Sequence, residues 1–314
     1  MSPPRSVGGV RVIPVAATVA VLLLLAIAGG LYFAGPKPFP LNEISSPAGT
    51  ELADGLEVAD GSVLLGPVFP IPVYELNDSP GWFALLAVTG DPIEAWNGYL
   101  EQFRAALPSV ARYFDEPRCR PGGASAFMCS AGGTGVEPDG ERLSIDARMR
   151  SNPDDPAGRY VIELWVDRPP TEQKVGAFDR GYPSRLAGDD APEPHKARRP
   201  PRAGELLARR LMDDRRYVLL KGTQLAAVTG DASIFGVLIK VDPGSDFDRV
   251  ARAYTAQSEG PNNPVRTLVR VERFGAVTTL MRVSSLAGSN DATVWAVDQP
   301  KPESDYIFYR VFRG

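Results

Sequence analysis

Apolar residues follow different spacings in different parts of this chain. Between Val12 and Pro36 no charged residue occurs, and the centre reads Val19-Ala20-Val21-Leu22-Leu23-Leu24-Leu25-Ala26-Ile27-Ala28. At about 1.5 Å rise per helical residue, such a run crosses the roughly 30 Å hydrocarbon core of a bilayer. Farther on, Ile93, Trp96, Leu100, Phe103 and Leu107 recur at spacings of three and four, the stripe of an amphipathic helix. Asp91 before Pro92, with Glu94 in the capping-box position, starts that helix, and Pro108 ends it. A second stripe, Phe247, Val250, Ala251 and Tyr254, begins near Ser245 with Asp248 three residues on, and Gln257 and Gly260 mark its end.

Elsewhere the apolar residues come in short runs or alternate, which predicts strands. Leu56 to Ala59 and Ser62 to Leu65 flank Asp60-Gly61, a hairpin signal. Trp82 to Val88 reads as a buried strand, with further strands at Leu143 to Met149 and Tyr160 to Val166. After the second hairpin, around Gly222, come Val237 to Val241, Val265 to Val271, Ala276 to Val283, Thr293 to Val297 and Tyr306 to Phe312. Residues 37–54 are rich in Pro and Ser and read as a stalk, and 170–215 as a linker containing a short helix near Glu205 to Met212.

The two folded stretches, 55–169 and 216–314, resemble diverged copies. Gly61-Ser62-Val63-Leu64 parallels Gly222-Thr223-Gln224-Leu225, and Val166-Asp167-Arg168-Pro169 parallels Val297-Asp298-Gln299-Pro300. The offset falls from 153 at Val88/Val241 (241 − 88) to 131 at Val166/Val297 (297 − 166), as an insertion in the cysteine region would require. The fold class expected is α+β. An amino-terminal transmembrane helix is followed by two similar domains, each with one main helix on an antiparallel sheet.

Charge orients the chain. Arg5 and Arg11 precede the apolar run, whereas Lys37 alone follows before Glu43 and Glu51. The positive-inside bias puts residues 1–11 in the cytoplasm, the anchor at 12–36, and the body outside the cell membrane. Ala26-Ile27-Ala28 before Gly29 also resembles a signal-peptide cleavage site, but apolar character continues through Phe33. Composition resembles that of a high-GC bacterium, and the net charge of −4 argues against nucleic acid as a partner. The partners expected are the lipid bilayer and an envelope protein or wall polymer.

Only two cysteines occur, Cys119 and Cys129, and in an oxidising compartment they read as one disulfide. A loop of that size stabilises by roughly 2.5–3 kcal/mol in chain-entropy terms. No catalytic, cofactor or metal set stands out. His195 is the single histidine, set among prolines and expected to face solvent. Asp242, Asp246 and Asp248 read as helix-start acids rather than a calcium loop, and Asp154-Asp155 and Asp189-Asp190 as solvated loops. Gly132-Gly133-Thr134-Gly135 and Lys221-Gly222-Thr223 lack the full phosphate-loop pattern and read as turns. Lys196, Arg198, Arg199 and Arg202, with Arg209, Arg210, Arg215 and Arg216 behind, form a basic cluster expected on a solvated linker. Trp82, Trp96, Trp165 and Trp295 read as core. The function expected is therefore a non-enzymatic, membrane-anchored binding or scaffolding protein of the envelope. The alternative is a wall-polymer hydrolase using two carboxylates.

Overall fold

Strands apolar at nearly every position need a partner on both faces, and two sheets lying face to face supply it. The computed structural model describes residues 45–71, 81–121, 127–137, 141–168, 182–183, 185–186, 191, 193–207, 217–230, 234–257, 265–273, 276–283, 290–300 and 303–313. These are mostly strand, with two helices among them. The first part contains β1 (Ser45–Ser46), β2 (Glu51–Ala53), β3 (Leu56–Glu57), β4 (Ser62–Ile71), β5 (Gly81–Val88) and α1 (Pro92–Ala106). Next come β6 (Ser109–Pro121), β7 (Phe127–Val136), β8 (Arg142–Ser151) and β9 (Tyr160–Asp167). The second contains β10 (Thr223–Gly230), β11 (Ile234–Val241), α2 (Phe247–Ala256), β12 (Val265–Arg273), β13 (Ala276–Val283), β14 (Asn290–Asp298) and β15 (Tyr306–Arg313).

One sheet runs β1-β4-β5-β9-β8-β7-β6, the other β10-β11-β15-β14-β13-β12. Apart from β1, the strand order is the same, with the helix in each case following the second strand. Alternation along a strand divides the side chains between layers. Trp82, Ala84 and Leu86 face α1, whereas Phe83, Leu85 and Ala87 face the other sheet. Likewise Ile307 and Tyr309 face α2, whereas Tyr306 and Phe308 meet the first sheet. Residues 42–314 accordingly form one compact unit.

Asp91 caps α1, accepting from the Ile93 and Glu94 amides at 2.9 Å, and Trp96, Leu100, Phe103 and Leu107 are fully buried. On α2 the cap is Asp246 rather than Ser245. Its carboxylate accepts from the Arg249 amide at 3.0 Å, while the Ser245 hydroxyl donates to the Gly222 carbonyl. Each helix is then fixed to its sheet by a tyrosine, eight residues after the cap. Tyr99 shares a 2.7 Å hydrogen bond with the Ser62 hydroxyl and accepts from the Ala59 amide, and Ser62 donates to the Ala59 carbonyl. Tyr254 does the same with the Thr223 hydroxyl at 2.7 Å and the Leu220 amide, and Thr223 donates to the Leu220 carbonyl. Burial pushes the Tyr99 phenol up to about 12, so it stays protonated and able to donate.

Several expectations are corrected. The hairpin lies not at Asp60-Gly61 but at Asp54-Gly55, between β2 and β3. Both turn residues have positive φ, 52° and 73°, as a type I′ turn requires. Gly61, at φ 74°, instead uses its carbonyl to accept from Thr89 and Gly90, closing β4 onto β5. The stretch expected as a stalk is folded from Ser45 onward, because Leu52 buries itself in the α1 core and Ser45–Ser46 pairs with Leu64–Leu65. Nor is the linker a bare spacer. Tyr182 packs on Phe103 and Tyr113, and the Leu186 backbone exchanges two hydrogen bonds with the Asn97 side chain. Glu205–Leu207 form a turn and a bridge, Leu206 to Val218, and the rest of the expected short helix lies outside the described residues.

The glycine run 132–135 is not a turn but the middle of β7. The strand matching β9 in sheet position is β15, not β14. With that match, β9 and β15 follow their helices at similar distances along the chain, and most of the insertion expected in the cysteine region disappears. Cys119 and Cys129 lie directly opposite on β6 and β7 with their sulfurs at bonding distance. They clamp an edge strand whose register shifts at three places. No helix among the described residues is long and apolar enough to cross a membrane, and residues 12–36 lie outside them.

Replacing Tyr99 or Tyr254 by Phe removes the acceptor for one backbone amide and the partner of one buried hydroxyl. Each change should lower stability by about 1–2 kcal/mol in urea unfolding. A loss in only one of the two variants would show that the two tyrosines are not equivalent anchors.

Candidate functional site

The face that one sheet turns to the other is apolar along one side and ionic along the other. On the apolar side, Phe83 stacks between Phe69 and Trp165, at centroid distances of 4.7 and 4.3 Å, with Phe308 and Trp295 against its edge. On β8, Leu143, Ile145, Ala147 and Met149 turn towards α1. Ser144, Asp146, Arg148 and Arg150 therefore lie on the opposite face, beside Glu163, Trp165 and Asp167 of β9.

This ionic side is tied to the second sheet. The Arg310 guanidinium lies 4.4 Å over the Trp165 ring, a cation–π contact made in a desolvated place. Burial pulls the Arg310 pKa down, with the Glu163 carboxylate acting against that shift. The Thr229 hydroxyl donates to Glu163. Next to them, the turn joining β8 to β9 closes the outer edge of β10. Asn152 donates to the Gly230 carbonyl at 3.1 Å, Arg159 donates to the Ala226 carbonyl, and Asp155 accepts from the Val228 amide at 3.1 Å. Asp155 also forms an ion pair with Arg159 at 3.4 Å. Burial raises the Asp155 pKa, opposed by Arg159 and by the amides that it accepts from.

Two acids share this face. Ser144 pairs with Asp167 and Asp146 with Trp165, so Asp146 and Asp167 are diagonal neighbours across the β8–β9 ladder. Burial, and then the field of Asp146, push Asp167 up to about 6. Asp146 forms an ion pair with Arg148 at 3.3 Å, both about one-third exposed. A carboxyl group titrating near neutrality beside a second carboxylate is the arrangement used in proton transfer. Just beyond Asp167, Arg168 gathers Asp54, Glu137 and Glu141 at 2.9, 2.7 and 2.6 Å, and Trp82 donates to Asp54 at 2.6 Å.

Sequence candidates sit elsewhere. His195 is half-buried rather than solvent-facing, because its backbone packs on Gly158 and donates to Ser151; its Nε2 has no hydrogen-bond partner. Asp155, expected in a solvated loop, is the buried acid at the β10 edge. Asp242 accepts from the Gln224 side chain, and Asp246 caps α2. Lys221-Gly222 forms the turn before β10. In the basic cluster, Arg199 pairs with Glu205, whereas Arg209, Arg210, Arg215 and Arg216 lie outside the described residues. No group of His, Cys, Asp and Glu among the described residues is arranged to hold a metal. Sequence reasoning missed Asp146, Asp167, Glu163 and Arg310. The one available signal was the polar alternation Ser144, Asp146, Arg148, Arg150 in a strand whose other positions are apolar.

No protein-family model and no curated protein matches this sequence. Among solved structures, a conserved hot dog fold protein from Alicyclobacillus acidocaldarius is 10% identical, covering 74% of this chain and 93% of its own, at a TM-score of 0.16. A protein of Thermobifida fusca assigned as a thioesterase II is 8% identical over 82% of this chain and 94% of its own, at 0.18. An acyl-CoA thioesterase II from Mycobacterium marinum is 13% identical over 65% of this chain and 81% of its own, at 0.14. Overlap at this level carries no argument about fold or activity.

Asp167 binds its proton more tightly in the native state than the 3.8 of an ordinary aspartate allows. The stability due to that proton is therefore complete below about pH 4 and lost as pH rises through about 6. Asp167→Asn should raise stability at neutral pH by about 1–2 kcal/mol, allowing for partial exposure, and flatten the profile between those values. Unfolding curves at a series of pH values test this. An unchanged slope would assign the titration to another group.

Proposed function

We propose that this chain is a membrane-anchored binding or scaffolding protein of the bacterial envelope. Residues 1–11 lie in the cytoplasm, 12–36 cross the membrane, and two related modules, 55–169 and 216–314, stand outside. The observation that carries the reading is the cysteine pair. Cys119 and Cys129 meet at bonding distance on an edge strand, which fits a body folded in an oxidising compartment. The uncharged run before the body agrees with it. Origin by duplication is supported by the common strand order and by the tyrosine anchor at the same distance from each helix cap. In this reading the sheets' buried inner faces hold the modules together, and the open polar part of the β7–β9 face is available to a ligand.

A second reading has a specific observation behind it. Asp146 and Asp167 are neighbours, with Asp167 poised near neutrality, as the acid and base of a carboxylate hydrolase would be. Incubation with isolated wall polymer separates the two: release of reducing ends by the wild type, lost in Asp167→Asn, would favour the enzyme.

For the binding reading, the full chain recovered from detergent-solubilised envelope should bring with it a discrete envelope component. Its cysteines should resist alkylation until reduced, and its amino-terminal sequence should begin ahead of Val12. Free thiols in protein taken from the native membrane, or a mature amino terminus at Gly29, would sink the anchored, exported arrangement.

A further inference from the structure

Ser130 on β7 is 1% exposed, yet its hydroxyl has no hydrogen-bond partner. Directly across the ladder on β8 stands Arg148, whose Nε is likewise buried and without a hydrogen-bond partner. Cys129, Ala131, Ala147 and Met149 belong to the α1 core, so alternation puts Ser130 and Arg148 together on the opposite face. A buried donor left unsatisfied costs about 1–3 kcal/mol, and two on directly paired residues call for an acceptor.

The surroundings say which kind of acceptor. Arg118 on β6 is the other register partner of Ser130, and Arg120 and Arg150 flank Met128 in the adjacent row. Gly132, the next same-face position on β7, brings no side chain opposite Asp146. Two carboxylates lie nearby. Asp146 holds a terminal nitrogen of Arg148, and Glu163, opposite Arg148 on β9, accepts from Thr229. An N–H and an O–H on paired residues of one face, with guanidinium groups on the neighbouring positions, suit a ligand with several anionic oxygens.

We propose that Ser130 and Arg148 form the floor of an oxyanion site on the β6–β8 face, which takes a phosphate group. The hydroxyl of Ser130 and Nε of Arg148 donate to its oxygens, and the neighbouring arginines supply the field. This names a ligand class for the binding function proposed above and rests on that reading for its biological meaning.

The test is calorimetric titration of the purified full chain with inorganic phosphate, against chloride at matched ionic strength. Saturable binding is expected, weakened about tenfold by Ser130→Ala, the equivalent of one hydrogen bond to a charged group. Without phosphate, Ser130→Ala should unfold at the wild-type midpoint or above it, because an unpartnered buried hydroxyl is removed; a purely structural serine would lower it. Arg148→Lys keeps the charge but loses Nε, and should bind phosphate as weakly as Ser130→Ala. Glycerol 3-phosphate in parallel distinguishes an esterified phosphate group from the free ion, and binding of either supports the site. Binding of neither, or wild-type affinity in Ser130→Ala, overturns it. If no phosphate binds but an envelope component is still captured, the site fails and the binding function stands.

Discussion

Mutual burial of the two sheets is the constraint on which the rest of this structure depends. A sheet with a helix on one face and water on the other alternates apolar and polar residues. Here β5 and β15 cannot alternate, because their second faces meet each other's sheet through Phe83, Leu85, Tyr306 and Phe308. The aromatic stack of Phe69, Phe83 and Trp165 fills that layer. Neither sheet can leave its partner without exposing it. That is why 42–314 is one unit although each sheet also owns a separate core under its own helix.

Placing sheets face to face creates problems at their margins, and the chain resolves them with polar groups. The outer edge of β10 would present free backbone amides and carbonyls, which template association with other chains. Asn152, Asp155 and Arg159 satisfy the groups at Ala226, Val228 and Gly230 from the side, as a strand would. The cost of burying Asp155 is offset in part by two amides and a guanidinium. At the far edge of the first sheet, β6 loses register repeatedly, and the Cys119–Cys129 pair holds it against β7.

Local signals in the sequence were legible wherever one element decides its own geometry. Asp91, Pro92 and the stripe through Leu107 define α1, and the runs at Trp82 and Val237 define β5 and β11. The paired Gly-Ser and Gly-Thr turns proved to carry the tyrosine anchors, although nothing in them names Tyr99 or Tyr254 as partner. What failed was pairing. Asp54-Gly55 and Asp60-Gly61 satisfy the same turn chemistry, and only the burial of Leu52 and Leu56 decides that the first of them closes a hairpin. The shared Val-Asp-x-Pro endings linked β9 to β14, a coincidence that strand order alone exposes. The polar face was illegible for a similar reason: Asp146 and Asp167 meet only once β8 and β9 are in register.

Where the two halves agree, they agree on folding; where they part, they part on this face. The strand matching β8 in sheet order is β14, and its inner positions carry Thr293, Trp295 and Val297 in place of Asp146, Arg148 and Arg150. Trp295 and Val297 do what mutual burial asks. Packing alone therefore gives no reason for a row of charges on β8, since its counterpart serves the same layer without them. Position does not separate the two strands, since β14 likewise lies next to an edge pair, β13 and β12. Nor does solvation account for the orphaned donors, which solvated serines and arginines do not leave. The asymmetry thus assigns the anchor tyrosines, the caps and the aromatic layer to holding the molecule together. It leaves the polar row of Ser130, Asp146 and Arg148 as the part of the first half for which the packing of the sheets gives no reason.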